Sequence, residues 1–230
     1  MDIIVKELSK KYDNIGVLNK FSAIFKENKV TVVMGKSGTG KTTLLNCVAN
    51  LVDYEGEIIG ADGVSYVFQE DRLIPHLTVY DNLYIALSEK NKTVKEFRIK
   101  EILAAVELTD KAAKLPGELS GGEKKRVSLA RAFIAKGGTI LLDEPLNSLD
   151  LGLKRKIDEY FLSIIEREKK TAIYVTHDVD EALFVADTIM VLNNGEVAWS
   201  YDFFSDKSNR KITDEESVKV REKLINFLYV

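Results

Sequence analysis

The chain has 230 residues, 45% hydrophobic and 30% charged, with a net charge of −3 at neutral pH. That is ordinary composition for a globular α/β unit with a substantial core, and its mild acidity provides no broad basic field, so nucleic acid is not expected as a partner. A single cysteine, Cys47, excludes an internal disulfide framework and suits the cytoplasm; the opening MDIIVKELSKKYD lacks signal-peptide design, and no apolar run approaches the roughly 18 residues that span a bilayer.

Taken in order, residues 1–30 read as two antiparallel strands, with Ile3, Val5 and Leu8 in the first and Phe21, Ala23 and Phe25 alternating in the second. Residues 30–34 (VTVVM) read as a buried strand, and 43–52 (TLLNCVANLV) as a helix that packs Cys47 as a small apolar residue. Two further strands are expected at 56–59 and 64–68. Between Pro75 and Pro116 the pattern turns helical: Leu83 and Leu87, then Ile99, Ile102, Leu103 and Val106, recur at helical spacing. Alternation then resumes, with a helix over 121–136, a strand over 139–142, a helix over 151–168, a strand over 171–176 and a helix over 178–186. Apolar strands alternating with helices predict a mostly parallel sheet covered on both faces. Asn194-Gly195, between MVL and VAW, predicts a hairpin. Residues 214–229 read as an amphipathic helix with Val218, Leu224, Ile225 and Leu228 on one face.

The stretch Gly35-Lys36-Ser37-Gly38-Thr39-Gly40-Lys41-Thr42 fits G-x-x-x-x-G-K-[ST] at every position, between a strand and a helix. Glycines let such a loop wrap tightly, so that backbone N–H groups converge on an anion, and the following helix adds its positive end. Lys41 then faces the outer phosphates, and the Thr42 hydroxyl is placed for Mg²⁺. The strand 139–142 ends in Asp143 and Glu144, where ligands gather in open α/β sheets. Asp143 is placed to reach the metal, and Glu144 to orient or deprotonate an attacking water. Leu119-Ser120-Gly121-Gly122-Glu123 is a capping box, and its two glycines also expose N–H groups to a second anion. Two phosphate-type helix ends serve one nucleotide only if they converge within the chain or if the second belongs to another copy's site.

This combination resembles the ATP-binding subunit of ABC transporters over nearly the whole length. Residues 35–42 resemble Walker A, with Thr43 beside it, and 139–144 resemble Walker B with its glutamate. LSGGE at 119–123 resembles the family signature, though glutamine is commoner where Glu123 stands. Gln69 resembles the Q-loop glutamine, a Mg²⁺ and water contact. Asn147-Ser148-Leu149-Asp150 resembles the D-loop, where SALD is commoner. His177 resembles the switch histidine on the γ-phosphate, and Tyr12 the aromatic residue that stacks on adenine. His76, the other histidine, resembles a surface residue near the membrane partner.

The resemblance implies an α/β P-loop NTPase core with a mostly parallel sheet, an N-terminal antiparallel β subdomain and an α-helical insert. It divides the chain into a core over 1–69 and 119–200, a helical subdomain over 70–118 and a C-terminal tail or helix over 201–230. It implies ATP and Mg²⁺ as cofactors and a homodimer, or paired ATPase subunits, closing head to tail. Ser120 and Gly122, with Gly121, would complete the phosphate cage across the pair, with Asp150 at the contact. VFQEDRLIPHLTVYDNL is most similar to the nitrate, taurine and sulfonate importer group. An importer implies transmembrane permease subunits, an extracytoplasmic substrate-binding protein and a place on the inner face of the cell membrane. The alternative is a non-transport ABC ATPase acting on nucleic acid or ribosomes. Against it, no sustained heptads separate Thr42 from Leu119, and the chain holds one such unit.

Overall fold

The computed structural model describes residues 1–147, 149–205, 207 and 210–229. Strand β1 (Ile3–Tyr12) lies between β2 (Ile15–Phe25) and β4 (Glu55–Ile59) in a three-stranded antiparallel sheet. A six-stranded sheet runs in the order β5 (Val64–Val67), β6 (Thr139–Asp143), β7 (Thr171–Val175), β3 (Val30–Met34), β8 (Thr188–Asn193), β9 (Glu196–Asp202). Its neighbours are parallel except for the β8–β9 hairpin. At that hairpin's tip Asn194 and Gly195 take positive φ of 50° and 78°, as a tight turn between right-twisted strands requires.

The period of two along the central strands divides the core. Val33, Leu141, Ile173 and Val175 point toward the antiparallel sheet, where Ile3, Val5, Leu8, Phe21 and Phe25 meet α1 (Lys41–Val48). Val32, Met34, Ile140, Leu142 and Tyr174 point the other way, against α4 (Gly121–Ile134) and α5 (Leu151–Glu168), where Phe133 and Phe161 stack with ring centroids 5.6 Å apart. Strands buried on both faces are nearly all apolar for this reason. Helices α2 (Val79–Tyr84) and α3 (Lys92–Ala105) add Leu83, Ile99, Ile102 and Leu103 to this second cluster, alongside Leu87 and Val106. Cys47 is buried, and desolvation pushes its thiol up to about 11, which leaves it inert packing.

Two helix ends and one helix face differ most from expectation. Helix α1 runs from Lys41 to Val48 rather than over 43–52, because Asn50 turns left-handed at φ 53°. The N–H groups of Asn50 and Leu51 then bond the carbonyls of Cys47 and Asn46, which closes the helix in a Schellman motif. Helix α4 stops at Ile134, and the Lys170 ammonium takes the carbonyls of Phe133 and Ala135 at 3.3 and 2.7 Å. A buried cation there satisfies orphan acceptors at the negative end of the helix dipole. Helix α7 (Glu215–Tyr229) buries Ser217, Val220 and Leu224, whereas Val218 and Ile225 are each 41% exposed. The expected face was therefore partly wrong: its axis is set by packing on α6 (Val179–Val185) and β9, where Phe227 meets Trp199.

Asn82, fully buried in α2, ties down the loop before that helix. Its carboxamide accepts from Ile74 N at 2.9 Å and donates to the carbonyls of Ile74, Leu77 and Thr78 at 3.0–3.1 Å. Asn82→Leu keeps the branching and heavy-atom count of the side chain and strands these loop groups. We expect a loss of about 1–3 kcal/mol in urea unfolding, with faster amide exchange over 74–78.

Candidate functional site

Strand register assembles the site. β7 lies between β3 and β6, and Val175 pairs with both Val33 and Asp143. The chain leaves all three strands at the same edge of the sheet. That places the 35–42 loop, the Asp143–Glu144 pair and His177 around one cleft of about 380 Å³. Gly35, Ser37, Gly38, Gly40, Lys41, Thr42 and Thr43 line one side, and Gln69, Asp143, Glu144, Asn147 and His177 line the other.

The loop is shaped for an anion. Gly35 lies at φ 153°, and a Cβ there would fall 2.4 Å from the Leu192 carbonyl oxygen. Gly40, at φ 99°, is the N-cap of α1 and offers no side-chain cap. By contrast α2 to α6 are capped by Thr78, Asn91, Ser120, Asp150 and Asp178, each accepting a backbone N–H. The first turn of α1 therefore keeps its N–H groups for an outside acceptor, with the positive end of the helix behind them. Lys41 Nζ donates to the carbonyls of Gly35 and Lys36 at 2.8 and 2.9 Å, and the Thr39 hydroxyl donates to Lys36 O at 2.9 Å. Lys36 and Thr39 thus shape the loop from behind rather than lining the cleft. Desolvation lowers the Lys41 pKa against the opposing pull of Glu144 and Asp143.

Across the cleft, burial raises the Asp143 carboxyl, opposed by a hydrogen bond from Thr42 and by the charges of Lys125 and Lys41. Glu144 turns out of β6 at φ 47°, its N–H bonded to Val175 O at 3.0 Å. A non-glycine residue in this region is strained by about 1–3 kcal/mol, and here the strain leaves its carboxylate beside His177. Glu144 Oε2 lies 2.7 Å from His177 Nδ1, while the imidazole is 61% exposed to the cleft. A carboxylate oriented by a histidine is a suitable base for a water placed between it and a phosphate. Thr42 from one side, and Asp143 and Gln69 from the other, bring a hydroxyl, a carboxylate and a carboxamide to the same cleft, where Thr42 bonds Asp143. Few, hard oxygen donors suit Mg²⁺, which keeps several waters and takes phosphate oxygens.

Other expected site residues fall outside this cleft. Ser120 and Gly121 are exposed, and with Gly122 they do not line it. The capping box is present: Ser120 Oγ accepts from Glu123 N at 3.3 Å, and Glu123 Oε2 accepts from Ser120 N at 2.7 Å. Asp150 caps α5 by accepting from Leu153 N at 3.0 Å, and Ser148 lies outside the described residues. Tyr12, 42% exposed at the β1–β2 hairpin with the Lys10 ammonium 4.9 Å from its ring, does not line the cleft, whereas Val17 of β2 does. His76 is exposed, as expected.

Sequence reasoning missed Lys125. It is buried, and its ammonium donates to the carbonyls of Phe68 and Gln69 at 2.8 and 3.2 Å, which anchors the segment carrying Gln69. Desolvation lowers its pKa, against Asp71, Asp143 and Glu144. In a run reading GEKKR nothing distinguishes this lysine from its exposed kind. Val17 likewise carried no signal of a place at the cleft, and Asn147 stands out in the sequence only as part of the D-loop-like segment.

The ABC transporter family model matches residues 18–147. The Thermotoga maritima protein named spermidine/putrescine import ATP-binding protein is 35% identical over 210 residues; the match covers 85% of this chain, which spans only 57% of that relative's length. The Bacillus thuringiensis subsp. konkukian protein named aliphatic sulfonates import ATP-binding protein is 38% identical over 200 residues, covering 83% of this chain and 79% of that one. Among solved structures, a dimeric ATP-binding cassette in a post-hydrolysis state, bound to ADP and Pi, superposes with a TM-score of 0.81 at 30% identity, covering 89% of this chain and 100% of the other.

Proposed function

The chain belongs to the ABC transporter family, and from that premise we propose that it hydrolyses ATP to power import of a small solute, working as two copies closed head to tail on two nucleotides. The observation that carries this reading is the separation of the two phosphate-type helix ends. The uncapped start of α1 faces the cleft with Lys41, Glu144 and His177, while Ser120 and Gly122 stand outside it. A second copy supplies the missing side of the cage.

Lys41 and the loop N–H groups hold the outer phosphates, and Ser120 and Gly122 of the other copy close over the γ-phosphate. Glu144, held by His177, orients the attacking water and takes its proton. Tyr12 stacks on adenine from the β1–β2 hairpin, which meets the loop where Gly40 abuts Val17 and Leu18. Thr42, Asp143 and Gln69 would hold Mg²⁺, which would supply positive charge against the phosphates. Positioning and electrostatic stabilisation are most of what phosphoryl transfer asks. Among the described residues no helix is long and apolar enough to cross a membrane, so passage of the solute falls to permease subunits. The 70–85 segment and helical insert transmit motion to them at the inner membrane face. A separate extracytoplasmic binding protein selects the solute.

Mixing two defective variants tests the arrangement. Ser120→Arg blocks the phosphate face of α4, and Lys41→Ala empties the loop. In a head-to-tail pair made of one of each, one site has an intact loop from one copy and an intact Ser120 from the other. We expect neither variant alone to hydrolyse ATP and the mixture to regain activity. No recovery on mixing, with both variants folded, would place the two helix ends in the same chain's site.

A further inference from the structure

Behind His177 lies a buried polar chain that the proposed mechanism does not use. Asp158 of α5 and Glu181 of α6 are only 5% and 7% exposed, although both are acids. The Tyr174 hydroxyl lies between them; it bonds Asp158 Oδ1 at 3.4 Å and also faces Glu181. Glu181 Oε2 accepts the hydroxyl proton of Thr176. Thr176 Oγ1 in turn accepts from Asp178 N at 3.0 Å. Among the described residues, Glu181 Oε1 has no hydrogen bond of ordinary geometry. Thr176 and Asp178 flank His177 on either side. Asp178 is held a second way, by Lys154 of α5 at 3.4 Å.

Two buried carboxyls cannot both carry charge at this range without large cost. Burial and the neighbouring Glu181 charge raise Asp158 well above the ordinary carboxyl range; burial raises Glu181 as well, but Thr176 and Lys154 favour its anion. Asp158 is the more strongly raised of the two, and Glu181 Oε2 is the acceptor on which the chain converges. Each link has one direction: Asp178 N–H to Thr176 oxygen, Thr176 proton to Glu181.

We propose that Glu181 is a positioning residue that, through Thr176, holds the His177 loop so that the imidazole meets Glu144. Burying an acid in the core makes sense if it anchors a short loop against two helices, because its carboxyl offers two acceptor oxygens to the groups that meet there. Lys154 joins the same loop to α5, the helix that follows the 147–150 segment, and Asp158 of that helix reaches it only through Tyr174 and Glu181.

The test exploits the presence of only two histidines, one of them the exposed His76. In protein labelled with ¹⁵N-histidine, Glu144→Ala marks where the His177 Nδ1 resonance falls once its carboxylate partner is lost. Glu181→Gln and Thr176→Val should both move the His177 signal toward that position, and Thr176→Ser, which keeps the hydroxyl, should restore it. In ATPase assays the first two should lower kcat about tenfold with KM unchanged, as expected when a group acts on the reacting geometry and not on binding. An unmoved His177 signal in folded Thr176→Val and Glu181→Gln, with only the melting temperature lowered, overturns the proposal. Should Glu181→Gln not fold, the near-isosteric Thr176→Val carries the test. The proposal rests on Glu144 and His177 acting in ATP hydrolysis. Wild-type protein that fails to hydrolyse ATP would sink that reading while the resonance arm still decides this one.

Discussion

Glu144→Gln stops ATP turnover, keeps ATP bound and accumulates the paired state. The carboxamide preserves the size of the side chain and can still hydrogen-bond His177 Nδ1, which lies 2.7 Å from Glu144 Oε2. It cannot accept a proton from water at neutral pH. Loss of a general base of this kind typically costs about 10²–10⁴ in rate. Binding should not suffer. The variant removes one negative charge from a cleft that must receive a triphosphate, and Lys41 and the free N–H groups of α1 are untouched. With hydrolysis blocked, nothing opens the pair. Phosphate-release assays should show the rate loss, and size-exclusion chromatography with ATP should show the dimer. Hydrolysis near the wild-type rate would remove Glu144 from the role of base.

Lys41→Ala weakens nucleotide binding rather than chemistry alone. Lys41 donates to the carbonyls of Gly35 and Lys36, in a position to exchange these for phosphate oxygens. Its ammonium is already partly desolvated, so little hydration remains to be lost on meeting the ligand. Truncating one partner of a buried, hydrogen-bonded charge pair costs about 2–5 kcal/mol, a rise in Kd of about thirtyfold or more. Titration calorimetry with ATP should read this directly, and the melting temperature without nucleotide should show whether the loop holds its shape. An unchanged Kd would refute the cradle.

Much of this molecule could be read from residue order because the interactions concerned are local. The 35–42 loop depends on glycines that permit positive φ and on a helix starting at once. The Ser120–Glu123 capping box spans three residues. The Asn194–Gly195 turn depends on two positions tolerant of left-handed backbone. The alternating apolar runs stated which strands are covered on both sides, and the helical spacing of Leu83 through Val106 identified the residues the insert buries.

The rest depends on what the fold carries to a residue from far along the chain. Lys125 meets Gln69 across 56 positions, and its neighbours in sequence look the same as it does. Val218 and Ile225 share a helical stripe with apolar spacing, yet stay half-exposed because α7 turns Ser217, Val220 and Leu224 into the core and sets Phe227 on Trp199 of β9. Asp158 and Glu181 look like surface acids in charged helices until β7 sets Tyr174 between them. Periodicity states that a face is apolar and motif spacing states that a loop suits phosphate. Which partner a side chain finds, and whether water is excluded there, follows from packing, where the free energy of each group depends on surroundings that residue order leaves open.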